Sequence, residues 1–96
     1  MNESRLQKKI RDKLNDRPST YCVKMHGGPH QARGLPDLVG VTEGLFFGLE
    51  VKMPGKEGNL TEIQQKKLND IDAAGGITAV VTTVEEANEA LDDGLI

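Results

Sequence analysis

The sequence predicts an α/β domain in the order α-β-β-β-α-β-α, with a mixed four-stranded sheet flanked by helices, and three observations carry that prediction. Leu6, Ile10 and Leu14 recur every fourth residue near the start, the spacing of one helix face. Residues 45–52 (LFFGLEVK) are rich in β-formers and follow a polar link of hairpin type. A second helical stripe, from Leu60 to Ala74, stops at Gly75-Gly76 and is followed by the apolar run Ile77 to Thr83. With 96 residues the chain is read as a single small domain, 1–96, with a modest core.

Residues 3–15 form the first predicted helix, with Asn2 as a possible N-cap and Arg17-Pro18-Ser19 as its end. At about 100° per residue Glu3 falls on the side of Leu6 and Ile10, while Lys8, Lys9 and Asp12 point outward. A carboxylate on that inward edge has two readings: a site acid, or a first-turn acid that complements the helix dipole. Thr20 to Met25 reads as the first strand, in which Cys22 is a small buried core residue. Cys22 is the sole cysteine, so neither an internal disulfide nor a Cys-rich zinc site is available.

The stretch from His26 to Gly34 is a loop, because no helix or strand interior tolerates its density of Gly and Pro. His26 and His30 have the spacing of a helical metal pair, but no helix runs through Gly27-Gly28-Pro29. His26 could instead assist proton transfer, its unperturbed pKa being about 6.5. Asp37 to Val41 is the second strand, Thr42-Glu43-Gly44 the link, and Leu45 to Lys52 the third strand. Thr61 is a plausible N-cap for the next helix, in which Gln64 lies within the stripe of Leu60, Ile63, Leu68, Ile71 and Ala74. An inward glutamine needs a hydrogen-bonding reason, either a ligand to orient or a backbone group to satisfy. Ile77 to Thr83 is apolar enough for a central strand, and Val84 to Asp93 is a short acidic helix with Ala87, Ala90 and Leu91 inward.

Function is carried by Pro36-Asp37, twelve intervening residues, and Glu50-Val51-Lys52. Side chains two apart on a strand share a face, about 6.5 to 7 Å apart, so Glu50 and Lys52 point together and Phe47, Leu49 and Val51 point the other way. If the second and third strands pair, Asp37 and Glu50 can direct carboxylate oxygens at one hard divalent cation. The plain alternative is a solvated acid and base pair, but charge in so apolar a strand is costly unless paired or metal-bound. Pro36 favours an extended entry where Asp37 must be aimed.

These residues resemble the PD-(D/E)xK nuclease pattern, and nearly the whole chain is similar to its VRR-NUC branch, the virus-type replication-repair nuclease domain, in the stand-alone phage or bacterial form. The likeness rests on Glu3 in the first helix, Arg33-Gly34-Leu35-Pro36-Asp37-Leu38, Glu50-Val51-Lys52, Leu60-Thr61-Glu62-Ile63-Gln64, and Gly75-Gly76 before the last strand. The resemblance implies a restriction-endonuclease-like fold and metal-dependent cleavage of DNA. Asp37, Glu50 and the Val51 carbonyl would hold one or two Mg²⁺ or Mn²⁺ ions, which polarise the phosphate. Lys52 is then the catalytic lysine, with Glu3 and Gln64 as supporting site residues.

Lys24, His26, His30, Arg33 and Lys56 are the expected contacts to a phosphate backbone. All twelve Lys and Arg lie in residues 1–67 against eight acids, whereas residues 68–96 carry seven acids and no base. The net charge of −3 argues against a passive DNA binder and suits an enzyme that reaches phosphate through a cation. Three aromatics leave little for a base-stacking platform. No apolar stretch is long enough to span a bilayer and no signal-peptide pattern is present, so the expected location is the cytoplasm of a bacterium or phage-infected host. Since no groove-reading motif is visible, the expected activity is structure-selective, on branched or duplex DNA such as a four-way junction, by a homodimer presenting two sites. Two other readings stand beside it: a nuclease-fold DNA-binding module in a larger replication or repair assembly, and a small α/β interaction protein with an accidental DxnExK.

Overall fold

The computed structural model describes residues 1–27 and 33–96. Its elements are α1 (Glu3–Leu14), β1 (Thr20–Lys24), β2 (Leu38–Thr42), β3 (Leu45–Val51), α2 (Glu62–Ala73), β4 (Ile77–Val81) and α3 (Val84–Gly94). The element order and the mixed four-stranded sheet are those the sequence predicts. Each helix begins where a cap can accept an orphan N–H: the side chain of Asn2 accepts from Arg5, Thr61 from Gln64, and Thr83 from Glu86.

The strands lie in the order β1-β2-β3-β4, antiparallel except for the parallel pair β3 and β4. Thr42 pairs with Leu45, so the hairpin loop is Glu43-Gly44 alone, with φ of 46° and 83°. Two successive positive φ values are the signature of the two-residue turn that matches strand twist. The crossover from β3 to β4 runs through α2, as a parallel pair requires.

One face of the sheet carries the core. Leu6, Ile10 and Leu14 of α1 and Ala87 and Leu91 of α3 close over Cys22, Leu38, Phe47, Leu49, Val51 and Val81. Phe47, Leu49 and Val51 thus share the inward side that alternation assigns them. Cys22 is buried there, and burial pushes its thiol up to about 11, the state of an inert core cysteine. On the other face α2 packs against β3 and β4, with Ile71 over Gly48.

Two sequence expectations need correction. The apolar run Ile77–Val81 is not a central strand: β4 forms the edge of the sheet, and it is apolar because α2 and α3 pack on its two faces. The stripe of α2 is also shallower than its spacing implies. Leu68 is buried, Leu60 and Ile71 are half-buried, and Ile63 and Ala74 are exposed. The reason is geometric, since α2 packs chiefly on β4 and β3, and Tyr21 and Val41 on the far side of that face stay exposed. Across it Tyr21 pairs with Val41 and Val41 with Phe46, an exposed apolar row of 65%, 40% and 49%. Among the described residues no helix is long and apolar enough to cross a membrane.

Candidate active site

The site forms where β2 begins and β3 ends. The β2–β3 register sets Leu38 against Leu49, and one step further sets Asp37 against Glu50. Asp37 Oδ2 accepts a hydrogen bond from the Val51 N–H at 2.8 Å, and the Asp37 carbonyl accepts from Met25 N–H at 2.8 Å. Asp37 is therefore fixed through both its side chain and its backbone. The N–H of Lys52, one residue on, turns the other way and donates to the Val81 carbonyl at 3.0 Å. In a strand the N–H and C=O of one residue point to the same side. The Val51 carbonyl thus lies on the side of β3 that faces Asp37.

Glu50 is the unusual member. It is 0% exposed, and among the described residues neither Oε1 nor Oε2 has a hydrogen-bond partner. A buried carboxylate without a partner is costly and normally neutralises or acquires a cation. Burial first, then the neighbouring Asp37 carboxyl, push its carboxyl up to about 9, against the pull of Lys52, with Glu3 adding a further push.

The same four influences show which expected residues the fold gathers. Asp37, Glu50 and Lys52 meet at the strand ends, and Glu3 at the start of α1 lies within electrostatic reach of Glu50. Lys52 is half-buried and makes no close ion pair among the described residues. Glu3 does not join the carboxylates as a third ligand, because among the described residues no group of three His, Cys, Asp or Glu stands close enough to hold a metal. The donor set that fits a hard cation is consequently Asp37, Glu50 and the Val51 carbonyl, with two orphaned carboxylate oxygens as the observation that favours it.

Of the two partners open to Gln64, a backbone group is the one it bonds. Its Oε1 accepts from the Thr61 N–H at 3.0 Å while Thr61 Oγ1 accepts from the Gln64 N–H at 3.1 Å, a reciprocal capping box. Lys24 is tethered as well, its ammonium donating to Ser4 Oγ at 2.8 Å, beside Glu3 on α1. His26, Arg33 and Lys56 are exposed on the loops around the site, and His30 lies outside the described residues.

Two contacts that position the site have no signal in local spacing. Ser4 was not among the expected residues, although a polar residue beside Glu3 on the helix could have been paired with a strand lysine. The other is Gly34, whose φ is +78° and which packs directly on Ile63 in the first turn of α2. An added Cβ there would stand 2.9 Å from the Ile63 carbonyl carbon, so only glycine lets the Leu35-Pro36-Asp37 segment lie against α2.

A scan against protein-family models returned no match, and neither did a search of curated proteins. The nuclease reading accordingly rests on the residues and their arrangement.

Proposed function

We propose that the chain is a metal-dependent deoxyribonuclease of VRR-NUC type, structure-selective and acting on branched DNA in replication, recombination or repair. The observation that carries the reading is the buried Glu50 carboxylate, both oxygens unpartnered, opposite Asp37 and beside Lys52. Asp37, Glu50 and the Val51 carbonyl would hold Mg²⁺ or Mn²⁺. When bound, such a cation supplies Lewis-acid polarisation of the scissile phosphate.

The remaining roles belong to the chain. Val51 N–H orients the Asp37 carboxylate, so one acid is aimed before any ligand arrives. The Lys52 ammonium offsets negative charge that builds on the phosphoryl oxygens in the transition state. Glu3, short of direct ligation, acts through an intervening water, and the Lys24 tether to Ser4 holds the start of α1 at the site. Gln64 supports indirectly by fixing the first turn of α2, against which Gly34 and the Asp37 segment rest. His26, Arg33 and Lys56 supply exposed cationic or protonatable groups toward a phosphate backbone.

A homodimer presenting two sites belongs to this reading. It is supported by the exposed row Tyr21, Val41 and Phe46, which a two-fold axis would place against the same row of a second copy. The experiment is cleavage of duplex, flap, splayed and four-way-junction DNA with Mg²⁺, with Mn²⁺ and with chelator. Metal-dependent cutting of branched substrates is the expected result. Binding without cutting under every metal would favour the DNA-binding module, and neither binding nor cutting would overturn the reading.

A further inference from the structure

The β4 edge presents a groove that the nuclease reading does not use. Because Lys52 N–H donates to the Val81 carbonyl, the backbone groups of Ile77, Ala79 and Val81 face β3, and those of Thr78 and Val80 face outward. Among the described residues none of the loop, cap or turn hydrogen bonds takes the groups of Thr78 or Val80. The next outward N–H, that of Thr82, is taken by Glu86 at 2.6 Å, and the same carboxylate oxygen accepts the Thr82 hydroxyl at 2.7 Å. The edge is thus closed at its carboxyl end and open along its middle.

Helices on both sides turn that open edge into a trough. The end of α2 and the length of α3 rise on either side of β4 around a groove of about 630 Å³. Asp72 stands on the α2 side and Glu86, Glu89 and Asp93 on the α3 side, and among the described residues no Lys, Arg or His lines it. An unpaired strand edge invites a further strand, with main-chain bonds giving affinity and side-chain environment giving specificity. Charge then selects the occupant. The side chains of an added strand alternate between the α2 and α3 walls, and both walls are acidic. Nucleic acid is repelled, and an edge-to-edge copy of this chain would set the same carboxylates against themselves.

We infer that the β4 groove binds an extended, lysine- or arginine-bearing segment of a partner protein, which adds to the sheet as a fifth strand beside Thr78 and Val80. The acidic end of the chain then recruits a basic protein partner at the sheet edge, where Val80 separates the added strand from Glu50.

The probe is a capped peptide of alternating lysine and valine, titrated onto the intact protein and followed by fluorescence anisotropy and by amide exchange. Saturable binding is expected, with exchange at Thr78 and Val80 slowed. Affinity should fall at least tenfold for the fully N-methylated peptide, for a glutamate-valine peptide, and for the surface double variant Glu89→Lys with Asp93→Lys. The N-methylated comparison uses the unaltered protein, so the test does not depend on a variant folding. No binding at millimolar peptide, equal binding of the N-methylated or acidic peptide, or unchanged exchange at Thr78 and Val80 would each overturn the inference. Protection of those two amides that rises with protein concentration in the absence of peptide would assign the edge to a second copy instead.

Discussion

The Asp37 carboxylate is held by the Val51 N–H at 2.8 Å, so the acid that opens β2 is aimed by the backbone that ends β3. Val51 is itself anchored, its side chain fully buried in the core beneath α1 and α3. The site acid is therefore coupled to the buried core of the sheet. Asp37→Asn keeps an acceptor for that N–H but removes the charge, whereas Asp37→Ala removes both. Both should lower metal-dependent cleavage by at least about a hundredfold. Only the alanine variant should also lose about 1 kcal/mol of metal-free stability, the usual worth of one hydrogen bond. Equal denaturation midpoints for the two variants would show that the Val51 bond does not anchor Asp37.

Glu50 makes the metal-free protein sensitive to alkali. Its folded pKa, about 9, lies above the ordinary value of 4.5, so the folded state holds the proton more tightly than the unfolded chain. The stability this confers is fully present below about 4.5 and is lost progressively as pH rises to about 9. Chemical denaturation in chelator should accordingly show stability falling across that window, and Glu50→Gln, which needs no proton, should flatten the fall. Millimolar Mg²⁺ at pH 8 should restore stability to the unaltered protein and not to the variant. Parallel pH profiles for the two proteins would remove the buried carboxylate as the cause.

Lys52 follows a different pattern because it is a neighbour of the carboxylates and not a ligand. Lys52→Ala should reduce the cleavage rate by about a hundredfold or more while Mg²⁺ affinity, measured by calorimetry, holds or rises as a nearby positive charge is removed. Lys52→Arg should recover only part of the rate, since a planar guanidinium differs in reach and hydration from an ammonium. Loss of Mg²⁺ binding in Lys52→Ala would make the lysine an organiser of the site instead.

Much of this arrangement was legible in the chain because it is local. The caps at Asn2 and Thr61, a hairpin between β2 and β3, and the alternation of Phe47, Leu49 and Val51 against Glu50 all follow from spacing within a few residues. The register that sets Asp37 against Glu50 was legible only in outline, because the sequence leaves Thr42 in a three-residue link and the structure pairs it with Leu45. What escaped was long-range. An apolar strand does not reveal whether strands or helices cover it, so β4 reads as central although it lies at the edge. Nor does the pattern say that α2 spans only half its face, which leaves Tyr21, Val41 and Phe46 exposed and Ile63 outward. Gln64 was legible as needing a partner, but the capping box is as good a partner as a site.

Gly34 offers a test of how the site is positioned. Gly34→Ala forces a positive φ on alanine and drives a methyl group into Ile63, so it should destabilise the protein by about 2 kcal/mol and also lower cleavage by displacing Asp37. Gly44→Ala is the control: its φ is +83°, yet nothing lies within 4 Å of the added carbon. That variant should cost about 1 kcal/mol and leave the rate per folded molecule unchanged. Equal activity of both variants at a temperature where each is folded would mean that the Gly34 contact does not position Asp37.

The dimer is tested on the bare part of the sheet. Tyr21, Val41 and Phe46 lie side by side across β1, β2 and β3 with no helix above Tyr21 and Val41, and each could meet its own counterpart across a two-fold axis. A lysine at the centre of such an interface is placed against a second lysine and buries both charges, whereas on a monomer it is merely solvated. Val41→Lys should therefore shift light scattering at micromolar protein from dimer to monomer while leaving the fold intact. The monomer should still hold Mg²⁺ but cut only one strand of a four-way junction at a time, because paired incision needs two sites in one complex. A protein that is monomeric before the substitution would overturn the dimer and the paired incision together, and would leave the chemistry of Asp37, Glu50 and Lys52 where it stands.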